Sequence, residues 1–193
     1  MNLYFLNKHK ILNEYIFNFK KLYIKPVTLW FTGLPASGKT TLAKALYEIF
    51  KTNGNKVIWL DGDKIRRTIS KDLGFSKKDR IENIKRIAHL AQCLNEEGAF
   101  VIVSAIAPYK EMRQIIREIV NNYVEVYVKC PLEICKKRDP KGLYKKAEKG
   151  EIKNFTGISD TYEEPEAPDI LVETKESVDE CIGKILNSLC QFL

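Results

Sequence analysis

Eight consecutive residues, Gly33-Leu34-Pro35-Ala36-Ser37-Gly38-Lys39-Thr40, fit the spacing G-x-x-x-x-G-K-[ST], and each residue type in it suits the binding of a phosphate chain. The glycines let the backbone turn sharply and point its N–H groups inward, where the start of a following helix adds partial positive charge. Lys39 brings a full charge, the Thr40 hydroxyl can ligate Mg²⁺, and Thr41 extends the cradle into the helix. Such a pattern arises by chance in on the order of one chain in a hundred of this length, so its flanks decide whether it counts. They agree with it: the apolar run Val27 to Phe31 has strand character, and Thr41 to Phe50 continues as a helix.

A second chemical group follows the apolar run Val57 to Leu60, which places Asp61-Gly62-Asp63 at the carboxyl end of a strand. Phosphoryl transfer depends on positioning and charge neutralisation more than on covalent chemistry, so a phosphate cradle, Mg²⁺ and a carboxylate near the attacking hydroxyl suffice. The candidate catalytic set is therefore Lys39, Asp61 and Asp63, with Thr40 and Asp61 as candidates at the metal. One acid would orient the hydroxyl and the other would hold metal-bound water, and the sequence leaves open which does which. ATP and Mg²⁺ are the implied cofactors.

These groups need a scaffold that aims strand ends at one place. A helical apolar pattern over residues 79 to 97 leads to a buried strand, Phe100 to Ala105. A helix from Glu111 to Val120 leads to a strand from Val124 to Val128, and a last strand, Ile170 to Val172, precedes a closing helix, Val178 to Leu189. Strands alternating with helices imply an α/β fold with a parallel sheet, right-handed crossovers and ligands at the carboxyl ends of the strands. Ahead of this unit, Ile11, Leu12, Tyr15, Ile16, Phe19, Leu22 and Tyr23 recur at helical spacing, an amphipathic helix ended by Pro26 and suited to packing on the domain or a second subunit.

The 193 residues suit one domain, with 45% hydrophobic and 30% charged residues. No apolar stretch approaches the ~18 residues of a membrane span. Residues 1 to 26 hold five lysines and one glutamate, which is +4 of the net +7, so the remaining +3 over 167 residues does not call for nucleic acid. Five cysteines without C-x-x-C pairing, and two histidines, make neither a zinc site nor a disulfide framework. With no apolar core and cleavage site at the N-terminus, a cytoplasmic location is expected.

Five separated stretches carry a resemblance: Asp61 to Arg66, Asp72 to Ser76, Asp79 to Arg86, Arg138 to Lys146, and Asn154 to Ile158. Together with the phosphate loop they closely resemble adenylylsulfate kinase, from about Val27 to Leu189 and in the family's order. The resemblance implies a P-loop kinase three-layer fold with a mostly parallel five-stranded sheet, helices on both faces and a lid. It implies a kinase domain over 27–193, a lid at about 141–157, and a homodimer, while the N-terminal helical extension over 1–26 lies outside it. The implied reaction moves the γ-phosphoryl of MgATP to the ribose 3'-hydroxyl of adenosine 5'-phosphosulfate. By the same resemblance Arg66, Arg80 and Lys141 would meet the anionic group, Asn83 would hydrogen-bond the nucleotide, and Phe75 and Phe155 would sandwich its base. Asp63, Ile106, Ala107 and Leu143 complete the acceptor set, and Arg138 would lie against the ATP adenine. Small nucleotides are the expected partners, with neither nucleic acid nor membrane.

Where that family usually has Ser-Pro, this chain reads Ala107-Pro108-Tyr109-Lys110. The serine has been described as a phosphorylated intermediate in some members; alanine has no hydroxyl, so direct in-line transfer is expected. The same departure keeps open an acceptor other than adenosine phosphosulfate, such as cytidine diphosphoramidate. A regulatory nucleotide-binding module without turnover is a third reading, set against the intact Lys39, Thr40, Asp61 and Asp63.

Lys39→Ala is expected to leave circular dichroism unchanged and to cut MgATP-dependent transfer by ~10²-fold or more, because it deletes a charge that meets the phosphates in the transition state. Turnover above about a tenth of wild type would contradict this reading of the loop.

Overall fold

The computed structural model describes residues 25–192. The amphipathic helix expected within residues 9–23 lies outside them. In chain order the elements are β1 (Thr28–Thr32), α1 (Lys39–Thr52), β2 (Val57–Asp61), α2 (Gly62–Arg67), α3 (Lys77–Glu96), β3 (Phe100–Ser104), α4 (Lys110–Ile119), β4 (Tyr123–Lys129), α5 (Leu132–Arg138), α6 (Leu143–Glu148), β5 (Ile170–Glu173) and α7 (Val178–Leu189).

The five strands form one sheet in the order β2-β3-β1-β4-β5, and every neighbouring pair is parallel. β1 is flanked on both sides and buried along its whole length, which is why its sequence is a nearly unbroken apolar run instead of an alternation. One face packs Leu29, Phe31 and Val126 against Leu46 and Phe50 of α1 and Ile185 of α7. The other packs Trp30, Val101 and Val103 against Ile87 and Ala88 of α3 and Met112 and Ile116 of α4. The expected three-layer α/β fold is therefore present, with an all-parallel sheet. A third, smaller cluster joins Cys130 and Cys135 to Tyr144, Ala147 and Phe155 beneath the 141–157 segment.

The chain runs from β1 outward to β2 on one side and later crosses to β4 on the other. Its carboxyl end therefore faces the crevice where ligands bind in such sheets. Three short helices were not legible in advance. α2 begins immediately after β2 because Asp61 caps it, its Oδ1 accepting from the backbone N–H of Asp63 and of Lys64, both at 3.1 Å. α5 and α6 occupy the basic stretch after β4, with six or seven residues each, less than two turns and too few for a periodic pattern to register.

Gly33 fixes how the loop leaves the sheet. Its φ is +145°, and a Cβ there would stand 2.5 Å from the Val128 carbonyl oxygen and 2.9 Å from Ser37 Oγ. The carbonyl belongs to β4, where Val128 is in register with Val172 of β5, and cannot withdraw without disturbing the sheet. Gly33→Ala is expected to cost about 2 kcal/mol or more in urea unfolding; a loss below about 0.5 kcal/mol would show that the close approach is dispensable.

Candidate functional site

The phosphate-loop residues connect β1 to α1 as the spacing requires. Gly38 takes a left-handed conformation at φ +108° as the N-cap of α1, and Ala36 is also left-handed at φ +60°. Ser37 is fully buried and its N–H donates to the Leu34 carbonyl at 3.1 Å, while Leu34, Pro35 and Ala36 are half-buried at the loop's crest. Lys39 is buried, and its Nζ donates to the carbonyls of Gly33 at 2.8 Å and Leu34 at 2.6 Å, drawing the start of the loop toward the start of the helix. Burial disfavours the ammonium and pulls its pKa down to about 8. Thr40 and Thr41 are exposed in the first turn of α1.

The two acids occupy different surroundings. Asp61 is buried: Oδ1 caps α2, and Oδ2 accepts from Ser104 Oγ at 3.1 Å, while that hydroxyl accepts from Trp59 Nε1 at 3.0 Å. Asp63 is exposed on the first turn of α2, and its carboxylate pairs with the Lys141 ammonium. Asp61 is held rigid by the fold, whereas Asp63 keeps an oxygen available to solvent or substrate. Thr40 and Asp61 offer only oxygen donors, and no group of three or more His, Cys, Asp or Glu side chains gathers among the described residues. That set fits Mg²⁺, which keeps most of its water and binds through one or two protein oxygens plus substrate phosphates.

Three of the remaining candidates, Arg66, Phe75 and Arg80, meet around the Phe75 ring. Phe75 is 61% exposed, with the Arg66 guanidinium 4.8 Å from its ring centroid and that of Arg80 at 6.0 Å. Arg80 Nε donates to the Phe75 carbonyl at 3.1 Å, Nη1 donates to Thr156 Oγ1 at 2.8 Å, and Nη2 donates to the Asn154 carbonyl. One guanidinium thus ties the segment bearing Phe75 to the segment bearing Phe155. Burial, and then the like charge of Arg80, lower the pKa of Arg66, so the pair is poised for an anion. Asn83 is buried, yet its Oδ1 has no hydrogen-bond partner. A buried acceptor left unpaired is costly and calls for a donor.

Phe155 is placed less freely than Phe75. It is buried, with its ring edge-on to Tyr144 at 5.0 Å and 82°, so the structure places it in the small core of the 141–157 segment. Leu143 is half-buried at the start of α6. Ile106 is half-buried and its carbonyl accepts from Thr32 Oγ1; Ala107 is buried and left-handed at φ +45°. Arg138 reaches across the phosphate loop, donating to the carbonyls of Ser37 at 3.5 Å and Thr174 at 3.1 Å.

Sequence reasoning missed the groups that hold these side chains. Asp160 accepts from Tyr109 Oη at 2.6 Å and lies 3.8 Å from Arg80, and Thr174 anchors Arg138. Each acts across dozens of residues, and no local pattern marks such partners.

The sequence model of the adenylylsulphate kinase family matches residues 25–173. An adenylyl-sulfate kinase of Synechococcus sp. (strain JA-3-3Ab) is 49% identical over 164 residues, covering 84% of this chain and 93% of that protein. The fold is similar to the Mycobacterium tuberculosis APS kinase CysC in complex with AMPPNP and APS, with a TM-score of 0.83, 39% identity, and coverage of 86% of this chain and 98% of that one. A hexameric APS kinase from Thiobacillus denitrificans matches at a TM-score of 0.66 and 31% identity, over 86% of this chain and 29% of that one.

The lowered pKa of Lys39 has a measurable sign. The unfolded chain holds this proton up to about 10.5 and the folded chain only up to about 8, so the burial penalty is fully present below pH 8 and fades as pH rises from 8 to 10.5. A triphosphate needs the charged form, so its apparent dissociation constant should rise about tenfold between pH 7 and pH 9. Calorimetry in two buffers of different ionisation enthalpy should find net proton uptake on binding above pH 8; absence of uptake would contradict the assignment.

Proposed function

The chain belongs to the adenylylsulphate kinase family, and from that premise we infer that it transfers the γ-phosphoryl of ATP to the ribose 3'-hydroxyl of adenosine 5'-phosphosulfate, the step that activates sulfate. The observation that carries the acceptor reading is the Arg80 guanidinium, which holds the Phe75 and Asn154 carbonyls and shares the Phe75 ring with Arg66. An exposed aromatic face for a base and two cations for a doubly anionic 5' group meet there.

In this mechanism the loop's N–H groups and Lys39 hold the donor phosphates, with Lys39 exchanging carbonyl partners for phosphate oxygens. Arg138, anchored on Ser37 and Thr174, lies against the donor base. Thr40 and Asp61 would hold Mg²⁺, which supplies charge neutralisation on the transferring group. Asp63, exposed and close to Lys141, orients the 3'-hydroxyl and takes its proton as the bond forms. Lys141 then has the acceptor's anionic group as an alternative partner. The 141–157 lid excludes water around the reacting atoms, and its anchor on Arg80 ties that closure to acceptor binding. Transfer is direct and in line, because the buried Ala107 has no group to phosphorylate.

The division into an extension over 1–26 and a kinase domain over 27–193 belongs to the same proposal, as do homodimerisation and a cytoplasmic location. Support for assembly comes from the hexameric relative, and support for a reducing compartment from five free cysteines. No helix among the described residues is long and apolar enough to cross a membrane.

A coupled ADP-release assay across a panel of 5'-modified nucleotides tests the acceptor. Adenosine 5'-phosphosulfate is expected to give the highest kcat/KM. If cytidine diphosphoramidate exceeds it, the substrate assignment falls while the 3'-kinase chemistry stands. Phe75→Ala should weaken acceptor binding by ~1 to 3 kcal/mol, about 5- to 150-fold, with much less effect on ATP. Phe75 is the cleaner probe of stacking because removal of Phe155 also opens the core beneath the lid.

A further inference from the structure

The segment after β3, Ala105 to Pro108, carries the Ile106 and Ala107 positions, and each of its four carbonyls is held from a different place. Trp30 Nε1 donates to Ala105 at 3.1 Å, Thr32 Oγ1 to Ile106, Arg113 Nη1 to Ala107 at 3.0 Å, and the Glu163 N–H to Pro108 at 2.8 Å. In the middle sits Ala107 at φ +45°, a conformation that a residue with a Cβ keeps only where its surroundings impose it.

Three of these donors are neutral, and Arg113 alone is charged. Its side chain is buried, with Nε 3.4 Å from Glu125 Oε1, an ion pair longer than a hydrogen bond. Glu125, on β4, accepts at its other oxygen from Arg117 Nη2 at 2.9 Å, and its own N–H donates to Asp169 Oδ2 at 2.7 Å. A buried guanidinium is costly unless paired, and a neutral amide could have held one carbonyl without a buried carboxylate beside it. What arginine adds is a charge-assisted bond in a fixed planar fork, and Glu125 lies along another edge of that fork.

We propose that Arg113 is a positioning residue for the acceptor nucleotide: through the Ala107 carbonyl it holds Ile106 and Ala107 in the shape the acceptor binds, and Glu125 fixes the guanidinium that does so. This rests on the acceptor reading above. Arg113 touches neither reacting phosphate nor hydroxyl in that reading, so its effect is confined to one substrate.

The test removes both charges together, in Arg113→Met/Glu125→Gln, so that no lone charge is left buried. The acceptor KM should rise about tenfold, the loss of one charge-assisted hydrogen bond, while the KM for MgATP stays within about twofold. Amide hydrogen exchange across residues 105–109 should quicken about tenfold, with residues 100–103 unchanged. A parallel rise in both KM values, or no rise in the acceptor KM, overturns the proposal, and so does unchanged exchange in 105–109. The exchange measurement needs no substrate, so it decides the matter even if the nucleotide panel selects a different acceptor. Should the double variant fail to fold, Arg113→Lys decides by the same readouts. Its charge stays beside Glu125, but one ammonium lacks the planar fork, so the acceptor KM should rise about threefold; an unchanged value overturns the proposal.

Discussion

A lysine ammonium buried against two backbone carbonyls is the interaction on which the molecule turns. Lys39 draws Gly33 and Leu34 toward the first turn of α1, and the loop between them is closed by its own residues. The contact is costly, as the lowered pKa records, and a well-packed scaffold has to sustain it. That scaffold is β1, buried on both faces and paired on both edges, which delivers Gly33 to a point where the β4 backbone leaves no room for a Cβ. Sheet order, glycine and lysine are therefore one constraint seen at three scales.

Around that centre, residues of one type are given different work by their surroundings. Asp61 and Asp63 stand two positions apart, yet one spends its oxygens capping a helix and receiving a serine hydroxyl while the other meets only a lysine at the surface. Arg66 and Arg80 crowd one exposed aromatic ring, whereas Arg113 is sealed beneath the 105–108 segment against a buried glutamate. Exposure and partners decide which charges can reach a substrate and which shape the wall of its site.

The phosphate loop was legible in the sequence because its chemistry is local: eight residues between an apolar run and a helix contain the whole device. The strands were legible for the same reason, since burial on both faces writes itself as a run of apolar residues, and the closing helix from Val178 to Leu189 was read to the residue. The separate duties of Asp61 and Asp63 were not legible, because they depend on a six-residue helix starting at Gly62, too short to show a period. Nor could the edge-on packing of Phe155 be read, since Tyr144 becomes its neighbour only when α6 forms inside a stretch that reads as basic loop. Resemblance named the acceptor positions; it could not show that Arg80 holds the Phe75 carbonyl and the two residues that flank Phe155.

That support makes the proposed acceptor site a discontinuous module. Arg80 lies in α3, and the carbonyl and hydroxyl it grips lie more than seventy residues later, at Asn154 and Thr156. The proposed donor side is divided in the same way, between the 33–41 loop and the Arg138 to Thr174 contact. A transplant of acceptor preference from one kinase to another would have to carry residues 61–86 and 154–163 as a matched pair. Either piece moved alone would part the guanidinium from the carbonyl and hydroxyl it grips here. A chimera meant to exchange acceptor preference would therefore keep its junctions outside the whole interval from Asp61 to Glu163.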